Sequence, residues 1–349
     1  MAKNTKPGQF SPVSLKASEM IGKLKDPRLM IAYWALARHT DMNDVGGLGP
    51  SRVTGASGGK VAEVLSCRHA MAKARLEDLA RHGIIRNAPV GLPAGRMKQA
   101  NWIMEYPGDV PIPHALIDGV AGSNGVKQRI LDKAPSDQVA MCALLLLVHC
   151  YANHNLEKWG GINPALLWRQ WEMTARKSNE SWRLDGEPIK NATSTWAFVT
   201  RVLEATGLKV TKSNQEELLQ SIFWPAFNLL KDSGLIYEAV TLMEKSEAAV
   251  TIRLNDFHAS TGAGAAGELE LIKDLPGSGY YVNKANNLEE PEGCWFFWPE
   301  DPAKLSLKGV YRLRFRCATP ETAKGLERDE GMIDHARDVL TAQGTLQVP

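Results

Sequence analysis

The stretch AEVLSCRHAMAKARLEDLARHGII, residues 62–85, decides how this chain is read. Leu65, Cys67, Ala72, Leu76 and Leu79 form an apolar stripe, which predicts that this side is buried against another helix. The pattern breaks at Ser66-Cys67. It predicts a short helix over KVAEVL, a tight turn, and a longer helix from about Arg68 to His82. Gly83 follows, where a helix ends in left-handed backbone. Arg68, His69 and Lys73 fall opposite the stripe at the N-terminal end of the longer helix, with Arg75, a further expected DNA contact, and Arg81 on its flanks. Cations there add to the positive end of the helix dipole, which suits a polyanion. Glu77 and Asp78 restrict that character to the first half. A solvated helix face would carry the same residues, so this segment alone does not choose between the two.

Working outward, DPRLMIAYWALARHT predicts a helix capped by Asp26, with Pro27 at its first position and Met30, Ile31, Trp34, Ala35 and Ala37 at helical spacing. DMNDVGGLGPSRVTGASGG reads as loop. After Gly83, IIRNAPV and KQANWIMEY read as strands joined by the turn GLPAGR, with Arg86, Arg96 and Lys98 around that turn and Trp102 as packing. Helix, turn, helix and hairpin in this order, over about residues 27–106, resemble a winged helix-turn-helix domain. The resemblance implies that Arg68, His69 and Lys73 enter the major groove of double-stranded DNA while Arg86, Arg96 and Lys98 lie on the phosphate backbone. Arginine can grip guanine with two hydrogen bonds, whereas lysine meets phosphate as a point charge. Winged helices also dock proteins, so the fold class does not settle the function.

At 349 residues the chain has room for two or three domains. Its expected fold is mainly α with small β-hairpins (α+β): two winged-helix domains in tandem plus a small C-terminal α+β region. The expected divisions are a basic arm over 1–26, a first winged helix over 27–107, a Pro/Gly linker over 108–135, a divergent winged helix over 136–258, and a Gly/Ala linker with the C-terminal region over 259–349. The second unit repeats the first in element order. Its long helix begins at Ser136, and its reading-helix counterpart, QEELLQSIFWPAFNLLKDSG, ends at Gly234. That helix carries Glu216, Glu217, Phe223, Trp224 and Phe227 with few cations, which points to packing or dimerisation. A basic insertion with Arg169, Arg176, Lys177, Arg183 and Lys190 precedes it and adds possible phosphate contacts. In GVYRLRFR, period two puts Arg312, Arg314 and Arg316 on one strand face as a further phosphate or acidic-partner site. The tandem order is similar to that of plasmid replication initiators, although no initiator-specific motif is present.

Net charge is +2, but residues 1–118 carry 16 Lys and Arg against 10 Asp and Glu, leaving the remainder acidic. A basic front half suits a polyanion partner. GAGAAG, residues 262–267, has the spacing of a dinucleotide loop, but the preceding strand is half-exposed and the segment reads as a linker. GASGGK departs from the phosphate-loop pattern. His149, Cys150 and His154 lack metal-ligand spacing, and His149 reads as a core histidine. The residues offer no catalytic set and no cofactor site, so the expectation is a protein that is not an enzyme. Five cysteines without pairing suit a reducing compartment. VAMCALLLLVHCYA is too short to span a bilayer. The expected setting is cytoplasmic and nucleoid-associated. The expected function is sequence-specific DNA binding of plasmid or prophage type, in replication initiation or transcriptional regulation. The alternative is a non-catalytic structural subunit of a larger protein or nucleoprotein complex that docks proteins through its winged helices, supported by the acidic second half and the cluster Trp295, Phe296, Phe297 and Trp298; the expected partners are double-stranded DNA and a homodimer or protein-complex partner.

Overall fold

The computed structural model describes residues 9–44, 50–92, 100–119, 125–178, 181–244, 251–252, 280–281, 294–296, 305–317 and 322–324. Packing divides the chain into two compact units. The first comprises residues 1–153, 196–235 and 314–319; the second comprises 154–195, 236–313 and 320–349. In chain order, the first unit holds β1 (Phe10–Val13), α1 (Leu15–Gly22), α2 (Pro27–Ala37), β2 (Thr40–Asp44), β3 (Pro50–Thr54), α3 (Gly58–Leu65), α4 (His69–Arg81), β4 (Ile85–Asn87), β5 (Trp102–Met104), β6 (Val110–Pro113), α5 (His114–Asp118) and α6 (Asp137–Ala152). The chain then enters the second unit through β7 (His154–Asn155), α7 (Leu156–Trp159), β8 (Gly161–Ile162), β9 (Leu167–Ser178) and β10 (Ser181–Ser194). It returns to the first with α8 (Trp196–Ala205), α9 (Gln215–Leu218) and α10 (Trp224–Asp232). The second unit ends with β11 (Ile236–Glu244), β12 (Thr251–Ile252), β13 (Tyr280–Tyr281), β14 (Cys294–Phe296) and β15 (Leu305–Leu313).

In the first unit, α2 starts where Asp26 accepts the Arg28 N–H at 2.9 Å and Pro27 fixes the first turn. Every residue from Leu29 to Ala37 is buried, because α1, α3, α4 and α6 surround the helix. Helix α6 is capped by Ser136, whose Oγ accepts the Val139 N–H at 3.2 Å. All thirteen residues from Val139 to Tyr151 are buried, and α1, α2, α8 and α10 pack against the helix. A helix apolar on every side must be enclosed by protein or lipid; here it is enclosed by helices. No helix among the described residues is long and apolar enough to cross a membrane.

Four expectations are corrected by this packing. Residues 10–22 of the expected basic arm are packed into the unit: β1 pairs antiparallel with β6, and Val13, Ala17 and Ile21 are fully buried. The small apolar side chains recur every fourth residue, a signal that the surrounding lysines obscured. The 108–135 segment is not a linker, since β6, α5 and a π-helical turn over Lys127–Leu131 bury Val110, Ile112, Leu116 and Ile130. Within the expected loop 41–59, β2 and β3 pair from Thr40 opposite Thr54 to Asp44 opposite Pro50. The helices α2, α3 and α4, assigned to 27–107, and α6, α8, α9 and α10, assigned to 136–258, share one unit, in which α2, α8 and α10 pack on α6.

A local geometry occurs twice. Gly83 has φ +67°, and the next N–H, of Ile84, reaches back to the Leu79 carbonyl at 3.0 Å. Gly234 has φ +65°, and the Leu235 N–H reaches the Leu230 carbonyl at 2.9 Å. Both are helix ends closed by a left-handed glycine. In each copy the residue after a returning strand then bonds the carbonyl beyond the glycine: Glu105 N–H to Ile84 at 3.2 Å, and Arg314 N–H to Leu235 at 3.0 Å. The counterpart of β5 is therefore β15. Nine register pairs join β11 to β15, from Ile236–Leu313 to Glu244–Leu305, whereas β12 meets only Leu242 and Met243. The strand expected in a separate C-terminal region thus lies inside a sheet. The orders are β2-β3-β5-β4 in the first unit and β12-β11-β15-β9-β10-β14-β13 in the second, both with antiparallel pairs throughout. The architecture is mixed α+β, and the larger sheet exceeds the small hairpins expected. Beyond β15 the C-terminal region is described only at 314–317 and 322–324, and GAGAAG lies outside the described residues.

Candidate nucleic-acid interface

Helix α3 ends at Ser66, whose φ of 48° and ψ of 47° place an ordinary side chain in the left-handed region. Its N–H bonds the Glu63 carbonyl at 3.2 Å, and the Cys67 N–H reaches Ala62 at 3.0 Å. That closes the first helix and redirects the chain into α4 within two residues. Ala72, Leu76 and Leu79 are then buried, and α4 packs on α2 and α3. Arg68, His69, Ala70, Met71, Lys73 and Ala74 are exposed.

Arg68 occupies the N-cap position of α4 without a side-chain capping bond, and the first turn contains no acidic residue. The free N–H groups of a helix start and its positive dipole end favour an anion. His69 fixes the geometry behind this point: its ring lies over Gly58, where a Cβ would stand 2.9 Å from Nε2. Gly58 therefore admits the close approach of α4 to the start of α3. Lys73 is 66% exposed and lies 3.7 Å from Glu77, itself exposed. A solvent-screened pair of this kind contributes little and opens readily.

The other expected contacts divide three ways. Arg75 is turned inward: its side chain is 14% exposed, its Nε lies 3.7 Å from Asp26, and its Nη1 donates to the Met71 carbonyl at 3.2 Å. It ties α4 to the cap of α2, so its assignment as a DNA contact is corrected. Arg86 pairs with Glu105 at 2.6 Å across the β4–β5 ladder and must leave that carboxylate to meet a phosphate. Arg96 and Lys98 lie outside the described residues. In the second unit, Arg176 stands directly opposite Arg183 and Lys177 opposite Trp182 on β9 and β10.

The expected basic strand face at 312–316 is also corrected. Arg312 is 4% exposed and donates from Nε to the Gly160 carbonyl at 2.5 Å; Tyr311 and Leu313 are buried as well. Val310, Tyr311, Arg312 and Leu313 are all buried, so period two at this end of β15 marks two buried faces rather than one wet one. Arg314 and Arg316 lie beyond the strand end, the first exposed and the second half-buried.

Charge counting overlooked Ala70, Met71 and Ala74, which share the exposed side of α4 with Lys73. The helical wheel alone could have marked them, since none falls on the 72–76–79 stripe. His149 is a core residue, 1% exposed, edge-on to Phe198 with its Nε2 3.6 Å from Glu19. Burial, followed by the charge of Arg201, pushes its imidazole down to about 4. No protein-family model, curated protein or solved structure matches this chain.

Proposed function

We propose that this chain is a sequence-specific binder of double-stranded DNA built from tandem winged helices. It would serve replication initiation or transcriptional regulation of plasmid or prophage type. One observation carries the reading: α4 presents Arg68, His69 and Lys73 at an uncapped, carboxylate-free helix start, directly ahead of the β4–β5 hairpin. The order α2, β3, α3, α4, β4, β5, with β5 paired between β3 and β4, supports a winged helix. The second glycine-closed helix end at Gly234, followed by β11 and the returning β15, supports a second copy of the unit. The basic front half supports a polyanion as the partner.

Selection of bound sequences from a random duplex library tests this reading. A recurring motif is expected, with affinity that falls steeply with salt. Replacing Arg68 and Lys73 together by Ala should weaken binding to that motif at least about tenfold. Unchanged affinity in the double variant would overturn the assignment. Absence of DNA binding at low salt, with a protein partner co-purifying stoichiometrically, would replace it with a docking role.

A further inference from the structure

Two features that stand about a hundred residues apart in sequence, the basic insertion and the CWFF cluster, meet in the second unit's sheet. β14 pairs with β10, and β13 pairs with β14. The register sets Arg176 opposite Arg183, Arg183 opposite Trp295, and Trp295 opposite Tyr281. One row across four strands therefore reads Arg-Arg-Trp-Tyr. The adjoining row reads Lys177, Trp182, Phe296, Tyr280 by the same pairings. Consecutive rows of a pleated sheet belong to opposite faces. Each face of this end thus has a cation followed by aromatic positions.

Two arginines directly opposite one another oppose their own strand pairing. A phosphate shared between them removes that cost. Aromatic positions on neighbouring strands, spaced about 4.8 Å apart, suit stacking of successive unpaired bases, which a duplex keeps inside its own stack. We propose that this end of the sheet binds single-stranded nucleic acid, with phosphates at the arginines and bases stacked on the aromatic row. The site is separate from α4 and stands whether or not α4 reads duplex DNA.

The test is fluorescence anisotropy of the full chain at low salt with labelled oligo-dT, oligo-U and an abasic oligonucleotide of equal length. Trp295→Ala with Tyr281→Ala, or Phe296→Ala with Tyr280→Ala, should cost at least about tenfold in single-strand affinity; the pair that does so marks the face in use. The matching changes Trp295→Phe with Tyr281→Phe, or Tyr280→Phe beside the native Phe296, should retain binding, which a folding defect in the Ala variants would not explain. Arg176→Ser with Arg183→Ser should lower the slope of log affinity against log salt by about 1.4. Binding of DNA alone, RNA alone or both identifies the strand and supports the site. Failure of both labelled strands to bind, equal affinity for the abasic strand, or unchanged affinity in both Ala pairs would overturn it. Duplex affinity should be unchanged in the aromatic variants, so failure here is distinct from failure of α4 to read a duplex.

Discussion

Ser66 and Gly83 adopt similar left-handed backbone at the two ends of the α3–α4 turn-and-helix segment, with φ of 48° and 67°. Only the glycine is free of the Cβ penalty there. Ser66→Gly should raise stability by about 1 kcal/mol, and Gly83→Ala should lower it by about the same amount, since a Cβ at 83 meets nothing within 4 Å. Urea unfolding midpoints measure both. His149 makes a separate acid-sensitive contribution. Its folded value of about 4 lies below the ordinary 6.5. Between those limits the unfolded chain takes up a proton that the folded chain does not. Stability is then fully present above about pH 6.5 and falls toward pH 4, by up to about 1.4 kcal/mol per pH unit. His149→Gln should flatten that fall in urea titrations run from pH 7 to pH 4.

At the scale of elements, Gly309 of β15 shows how closely the second unit's strands approach. A Cβ there would stand 2.0 Å from Glu238 Oε1, and Glu238 pairs with Arg169 Nη1 at 3.1 Å. The carboxylate is held, so it cannot simply swing away. Gly309→Ala should destabilise the protein by about 1–3 kcal/mol, read from urea unfolding, with a smaller loss when Glu238 is also replaced by Ala. The α3–α4 pair was legible because Leu65, Ala72, Leu76 and Leu79 keep one period and Gly83 ends it. The β2–β3 hairpin was not, because its Asn, Asp, Gly and Pro residues carry loop chemistry and its pairing depends on β5. Arg75 and Arg312 misled for one reason: a cation's place in the sequence does not reveal the sequence-distant partner, Asp26 or the Gly160 carbonyl, that claims it. The partnership of β11 with β15 was equally hidden, since 60 residues separate Glu244 from Leu305 and no local pattern spans them.

Over the whole molecule, the expected boundary at residue 258 falls between β11 and the strand that completes its ladder. A chain ending at 258 should lose the nine-pair β11–β15 ladder and the β9–β15 pairs with it. Circular dichroism should show less strand than residue loss alone accounts for, and limited proteolysis should cut within 167–194 while sparing 10–87. Retention of an intact, protease-resistant β9–β10 hairpin would contradict that dependence.

The pairing of Trp168 with Val310 also sets a timetable. The two residues emerge from a ribosome roughly 7–30 s apart at ordinary elongation rates. Throughout that interval β9 has only β10 for company, and its other edge is open to strands of neighbouring nascent chains. Slower translation between residues 194 and 305 should therefore raise the aggregated fraction, and a chaperone that shields strand edges should lower it.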